Sequence, residues 1–173
     1  VPMTAKSNSS EPYVRLATSA DAAAIVEIYN YYITDTIITF EEEIISAAEM
    51  ARRMNDIAAL NLPWLVAEVE GQVAGYAYAG SFRTRSAFRF TAEVTVYLDL
   101  KYAGQGLGTK LYADLFAKLK ESGIHVVIGG ISLPNESSVA LHEKFGMEKV
   151  AHFKEVGYKF NQWIDVGFWQ RML

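Results

Sequence analysis

One stretch limits the folds open to this chain more than any other: Thr91 to Lys120, TAEVTVYLDLKYAGQGLGTKLYADLFAKLK. It begins as a strand, because Val94, Thr95, Val96 and Tyr97 are the β-branched and aromatic residues that fit a pleated, half-buried surface. It breaks at Lys101 to Gln105 and restarts at Gly106 as a helix, with Leu107, Leu111, Leu115 and Leu119 recurring every four residues. Between the two lies Gly104-Gln105-Gly106-Leu107-Gly108, whose glycines permit backbone conformations closed to other residues and let a ligand approach. A helix that starts at such a loop turns free amides and the positive end of its dipole toward the mouth, which is a place for phosphate oxygens. It is not the dinucleotide fingerprint, which needs glycine where Thr109 stands, nor a nucleoside triphosphate loop, which needs glycine directly before Lys110. On the loop alone, a tight connection and a phosphate site both stay open.

The whole chain narrows the choice. At 173 residues it is long enough for one domain with a substantial core, expected over residues 13–173, and 51% of it is apolar. A formal charge of −4 gives no reason to expect nucleic acid or an anionic membrane as partner. With no cysteine there is neither a disulfide framework nor a thiolate nucleophile, and three scattered histidines speak against a metal site. No apolar run reaches membrane-spanning length and no signal-like block opens the chain, so a soluble cytoplasmic protein is expected. Residues 1–12, VPMTAKSNSSEP, read as a disordered or vector-derived tail outside the fold.

Taken in order, Tyr13 to Thr18 reads as a first strand. Ser19 or Asp21 is placed to cap a helix carrying Ala24, Ile25, Ile28, Tyr29, Tyr32 and Ile33. Ser46-Ala47-Ala48-Glu49 matches a capping box opening a second helix to about Leu60, closed by Asn61 and Pro63. Trp64 to Val69 and Val73 to Ala79 form a hairpin about Glu70-Gly71. After the central unit, Gly123 ends its helix and Val126 to Ile128 begins a strand covered on both faces. Asn135 to Phe145 makes a short helix, and two aromatic-rich strands finish the chain. The order β-α-α-β-β-β-α-β-α-β-β argues for one mixed α/β layer structure.

The run Glu93 to Leu119, with Leu133-Pro134-Asn135 and Leu141-His142-Glu143-Lys144-Phe145-Gly146, resembles the GCN5-related N-acetyltransferases (GNAT), and among them the phosphinothricin and methionine sulfoximine N-acetyltransferases. The resemblance covers nearly everything from Val14 to Leu173. It implies a seven-stranded mixed sheet flanked by about four helices, with the fourth and fifth strands splayed and acetyl-CoA in the gap. It also implies a pyrophosphate loop of the pattern Gln/Arg-x-x-Gly-x-Gly/Ala, here Ala103-Gly104-Gln105-Gly106-Leu107-Gly108 and then Thr109, with Ala103 departing from the first position. The backbone of Val96, Tyr97 and Leu98 would pair with the pantetheine arm, which Asn135 would also contact. Relatives are commonly homodimers.

The resemblance gives the catalytic role first to Glu93. A carboxylate in an apolar strand is expensive to bury unless hydrogen-bonded or wet, and a positioned carboxylate can take the proton from an ammonium acceptor. The plain alternative is a strand glutamate facing solvent. His142 stands where many relatives carry the tyrosine that protonates the departing thiolate; histidine titrates near neutrality, though a lone one is more often structural. Tyr112 is a further polar contact whose leucine-rich surroundings favour packing. By resemblance Phe40, Phe88 and Phe90 line the acceptor pocket and an arginine holds the α-carboxylate. Arg83 and Arg89 fit that role better than Arg85, since a guanidinium clamps a carboxylate with two parallel bonds. The expected activity is transfer of acetyl from acetyl-CoA to the α-amine of a small amino acid analogue, directly and without an acyl-enzyme. The rivals are another amine acceptor, such as a polyamine or a protein N-terminus, or a non-catalytic acyl-CoA-binding module.

Overall fold

The strand read at Val94 to Tyr97 forms as β4 (Thr91–Leu98), the middle strand of a seven-stranded mixed sheet. The computed structural model describes residues 11–173, so most of the expectation for residues 1–12 lies outside the described residues. On one side of β4 run β3 (Gln72–Ser81), β2 (Trp64–Val69) and β1 (Tyr13–Leu16). On the other run β5 (Val126–Leu133), β7 (Gln162–Met172) and, at the edge, β6 (Glu148–Lys159). All neighbours are antiparallel except β4 and β5. At the β2–β3 hairpin Glu70 and Gly71 both take positive φ, 52° and 77°, the two-residue turn that matches strand twist.

Period-two alternation divides the sheet's residues between two layers of helices. Leu65, Ala67 and Val69 of β2 meet the leucine row of α3 (Leu107–Glu121), where Leu107, Leu111, Leu115 and Leu119 are all buried. Trp64 and Val66 face the other way, against α1 (Ala22–Asp35) and α2 (Ala47–Ala59). The short α4 (Glu136–Lys144) covers β5 on the α3 side, where Val139 and Leu141 pack on the first cluster. No helix among the described residues is long and apolar enough to cross a membrane.

The entry to α1 differs from the sequence reading. A 3-10 turn at Ser19–Asp21 precedes the helix, and β1 stops at Leu16. Asp21 takes the cap position of α1 but makes no side-chain bond to its amides: Arg15 donates to both carboxylate oxygens at 2.8 Å, and the Thr18 amide donates at 2.8 Å in a capping box that closes the 3-10 turn instead. Ser46 does cap α2, accepting from the Glu49 amide at 3.1 Å, but the reciprocal half of the box is missing: Arg52 and Arg53 hold the Glu49 carboxylate instead.

The feature that creates a site is the short β4–β5 pairing. Only Thr91, Ala92 and Glu93 of β4 find partners, at Val126, Val127 and Ile128. Beyond Glu93 the strands part, because β5 stays with β7 as far as Leu133 while β4 stays with β3 as far as Leu98. The α3 leucine row anchors the undivided half of the sheet. Leu115→Ala, at a fully buried position, is expected to cost about 2–5 kcal/mol by the usual range for such cavities. Urea unfolding with an unchanged m-value checks this, and a loss below about 1 kcal/mol would contradict the packing described.

Candidate active site

Where β4 and β5 diverge, a cleft of about 600 Å³ opens, and it begins at Glu93. One wall is Glu93 to Tyr97; the other is Gly130 to Ser132 with Val166 and Phe168 of β7. A second cavity of about 390 Å³ runs on from it, past Val96 to Leu98 and the loop Gly104 to Thr109. The two share Ile38, Val96, Tyr97, Asn135 and Ser138, so they form one passage from the glycine loop to Glu93. Past Glu93 the β5-facing edge of β4 has no ladder partner, which leaves its backbone groups for a ligand that runs alongside as another strand would.

The loop itself is built for an anion. Gly104 and Gly106 take φ of 79° and 72°, a region side chains rarely adopt, and a Cβ on either would meet nothing within 4 Å. Gly106 occupies the cap position of α3 without any side chain to close it, so the amides of the first turn point outward unpaired. Gly108 serves a different purpose: a Cβ there would sit 3.1 Å from Leu141 and press on the side chain that packs α4 against α3. Lys144, at the end of α4, donates to the Thr109 hydroxyl at 3.2 Å and brings a cation to the same mouth. Asn135 caps α4, accepting from the Ser138 amide at 3.2 Å, and lines both cavities. Open amides, a cation and a strand edge fit a diphosphate with a peptide-like arm, and Ala103 removes only a side chain from that set.

Glu93 is partly buried, and among the described residues its carboxylate has no hydrogen-bond partner. Burial therefore raises its pKa above the usual glutamate value. His142 is buried against Gly129, whose Cβ would lie 2.7 Å from the imidazole, so glycine is the residue that fits there. The histidine Nδ1 stands 2.7 Å from the Ser138 carbonyl, which can only accept, so that nitrogen carries the proton. Nε2 then accepts from the Tyr112 hydroxyl at 3.0 Å. Burial lowers the His142 pKa and raises that of Tyr112, so the pair is held neutral. Both rings line the cleft opposite Glu93's strand.

Phe40 joins the cleft, packed over Gly157, where a Cβ would meet the ring at 2.3 Å. The other residues expected around the acceptor are not brought to it within this chain. Arg83 and Phe88 line a separate surface depression with Phe82 and Arg85. Arg89 stacks its guanidinium 4.4 Å from the ring centre of Phe90, and neither residue lines the cleft. The loop precedes β4, at the end where β4 and β5 are paired shut, whereas the cleft opens only after Glu93. Sequence reasoning missed Tyr112 as the partner of His142, and the wall formed by Phe153, Val156, Val166 and Phe168. Gly129 and Gly130 in mid-strand were the available signal, since strand glycines mark close approach. Among the described residues no cluster of three or more acidic or histidine side chains could hold a metal.

A family model described as an acetyltransferase (GNAT) domain matches residues 14–167. The chain is 42% identical over 160 residues to the phosphinothricin N-acetyltransferase of Streptomyces viridochromogenes, covering 91% of this chain and 86% of that protein. It is 36% identical over 160 residues to the L-methionine sulfoximine/L-methionine sulfone acetyltransferase of Salmonella typhimurium, covering 92% and 94%. Among solved structures, a GNAT superfamily phosphinothricin acetyltransferase from Sinorhizobium meliloti in complex with AcCoA superposes with a TM-score of 0.91. The two are 37% identical, with 94% of this chain and 88% of that one covered.

The loop geometry sets its own test. Gly106→Val puts a β-branched residue at a positive φ and shields the first-turn amides, so coenzyme A should bind at least about tenfold more weakly by calorimetry. Unchanged affinity would mean that the diphosphate docks elsewhere.

Proposed function

The chain belongs to the GNAT acetyltransferases and takes its acyl group from acetyl-CoA, and on that premise we propose that the acceptor is the α-amine of a small amino acid or analogue. The support for that acceptor is the naming of its relatives for phosphinothricin and for methionine sulfoximine and sulfone. The observation that carries the mechanism is the place of Glu93, a partly buried carboxylate, unpartnered among the described residues, where the cleft begins.

Acetyl-CoA supplies an activated thioester; the residues of this chain do the rest. Amino acids arrive as ammonium ions at neutral pH, and an ammonium has no lone pair to attack with. Glu93 takes that proton, directly or through water, and its raised pKa brings it closer to the task than an exposed glutamate would be. Amides along the open edge of β4 hold the thioester oxygen as charge gathers on it. On the far wall His142 keeps its proton on Nδ1, against the Ser138 carbonyl, so the proton for the departing thiolate comes from the Tyr112 hydroxyl, which must turn from Nε2 to give it and is reprotonated from solvent afterwards.

The α-carboxylate requires a cation, and among the described residues no arginine or lysine lines the cleft. Arg83 and Arg89 lie on an exposed loop beside Phe88 and Phe90. In a homodimer this loop would be free to complete the pocket of the second copy, which reconciles the expected role of both arginines with their positions here. The protein would work in the cytoplasm, with neither nucleic acid nor membrane as partner.

Glu93→Gln is expected to lower kcat/KM for amino acids by a factor of about 100 or more while coenzyme A affinity holds, which is the usual scale for losing a general base. Because burial raises the Glu93 pKa, the acid limb of the parent's kcat/KM profile should lie above the ordinary carboxylate range, and the variant should lose it. The sign for stability is opposite to that for activity. A raised pKa in the folded state contributes stability below the unfolded value and loses it as pH rises through the folded one, so at neutral pH the variant should unfold no earlier than the parent. Thiol release over a panel of amino acids, measured for both proteins, decides the matter; undiminished turnover by Glu93→Gln would remove the base. In the same assay Arg89→Ala should raise KM for amino acids and leave that for acetyl-CoA unchanged.

A further inference from the structure

The edge strand β6 carries an irregularity beside the cleft. Phe153 pairs with Val166 and Gly157 with Ile164, so residues 154–156 of β6 stand opposite Asp165 alone. In a regular strand, residues an odd number apart face opposite sides. Phe153 and Val156 are three apart, yet both line the cleft, and the extra residues make that possible. Within the bulge Glu155 takes a φ of 55°, a conformation uncommon outside glycine.

Asp165 holds this shape. One of its carboxylate oxygens accepts from the Glu155 amide at 2.8 Å and the other from His152 Nε2 at 2.7 Å. Lys149 donates to His152 Nδ1 at 2.9 Å, which leaves the ring proton on Nε2, aimed at Asp165. Two residues of β6 are thereby tied to one carboxylate of β7 on either side of Phe153. Phe153 in turn meets Phe168 edge to face at 5.7 Å, and Phe40 closes the group over Gly157.

The resulting wall is apolar: Phe40, Phe153, Val156, Val166 and Phe168. Among the described residues the ionisable groups lining the cleft are Glu93, the Tyr112–His142 pair already described, and Tyr97, partly buried with its pKa raised well above its usual value by loss of water. Lys159, buried further along β6, donates its ammonium to the Thr39 carbonyl at 2.7 Å and does not line the cleft. An acceptor whose side chain carries an anion would find no cation or hydrogen-bond donor on this wall of phenylalanine and valine, and would share the cleft with the Glu93 carboxylate.

We infer that the bulge of β6, pinned by Asp165, is the specificity element of the acceptor pocket, and that it selects amino acids with an uncharged side chain over those whose side chain is anionic. Asp165 touches neither substrate nor reacting atoms and acts as a positioning residue through Phe153 and Val156. The inference rests on the amino acid acceptor proposed above.

The test compares methionine sulfone, whose side chain is neutral, with phosphinothricin, whose phosphinate is anionic, as acceptors for the whole protein. The parent should favour the sulfone at least about tenfold in kcat/KM, the scale on which an apolar pocket discriminates. Asp165→Ala should reduce that preference about tenfold, chiefly through KM for the sulfone, with KM for acetyl-CoA unmoved. Asp165→Asn, which keeps an oxygen for the Glu155 amide, should retain most of the preference. Val156→Lys, at an exposed position that tolerates the change, should shift selectivity toward phosphinothricin by about tenfold. Equal use of the two acceptors by the parent overturns the inference. So does an unchanged preference in Asp165→Ala or Val156→Lys, or a fall in kcat for both acceptors together, which a merely structural role would give. If no amino acid is acetylated while some other amine releases thiol, the proposed acceptor itself falls, and the inference with it.

Discussion

Everything functional in this protein follows from three residue pairs. β4 and β5 are held together only at Thr91, Ala92 and Glu93, and each strand then leaves with its antiparallel neighbour on the other side. A sheet interior normally satisfies every backbone amide and carbonyl within the ladder. Opening the ladder at its centre leaves polar backbone lining an apolar cleft, which is costly to leave empty and well suited to an extended ligand with amides of its own. The cost is tolerated because the undivided half of the sheet is clamped by the α3 leucine row and by the α1–α2 layer.

The same opening sets the electrostatics. Each ionisable group that faces it is pushed toward its neutral form by loss of water: the Glu93 and Tyr112 pKa values rise and that of His142 falls. Away from the cleft the opposite holds. Arg15 lowers the pKa of Asp21, and Arg53 that of Glu41, and these pairs fasten the helix layer and the loop that carries Phe40. Glu41 also accepts from the Tyr29 hydroxyl, which in turn contacts Thr39, so the position of Phe40 is tied to α1 and α2. Charges that are paired hold the scaffold, and a charge left unpaired does the chemistry.

Much of this was legible in the sequence, and what was legible was local. The glycine loop announced an open helix start, the leucine row its buried face, Ser46 and Asn135 their caps, and Glu70-Gly71 the hairpin. The strand bearing Glu93 was readable because a lone acid in an apolar run has to be explained. What the chain order could not give was register. The odd-numbered spacing of Phe153 and Val156 hides their common face until the bulge is seen, and Tyr112, a possible polar contact in a leucine-rich helix, shows its partner only where Gly129 lets His142 reach it. The 82–90 loop, expected beside the acceptor by resemblance, sits at the closed end of the paired strands, and chain order does not say whether a second copy would bring it to a pocket.

The most direct test of the account is a crystal structure with coenzyme A bound. Its diphosphate should rest on the amides of residues 104–109, its arm should run along the free edge of β4, and its sulfur should end beside Glu93. A carrier seated on another face, with the gap between β4 and β5 left to solvent, would contradict the account at its root.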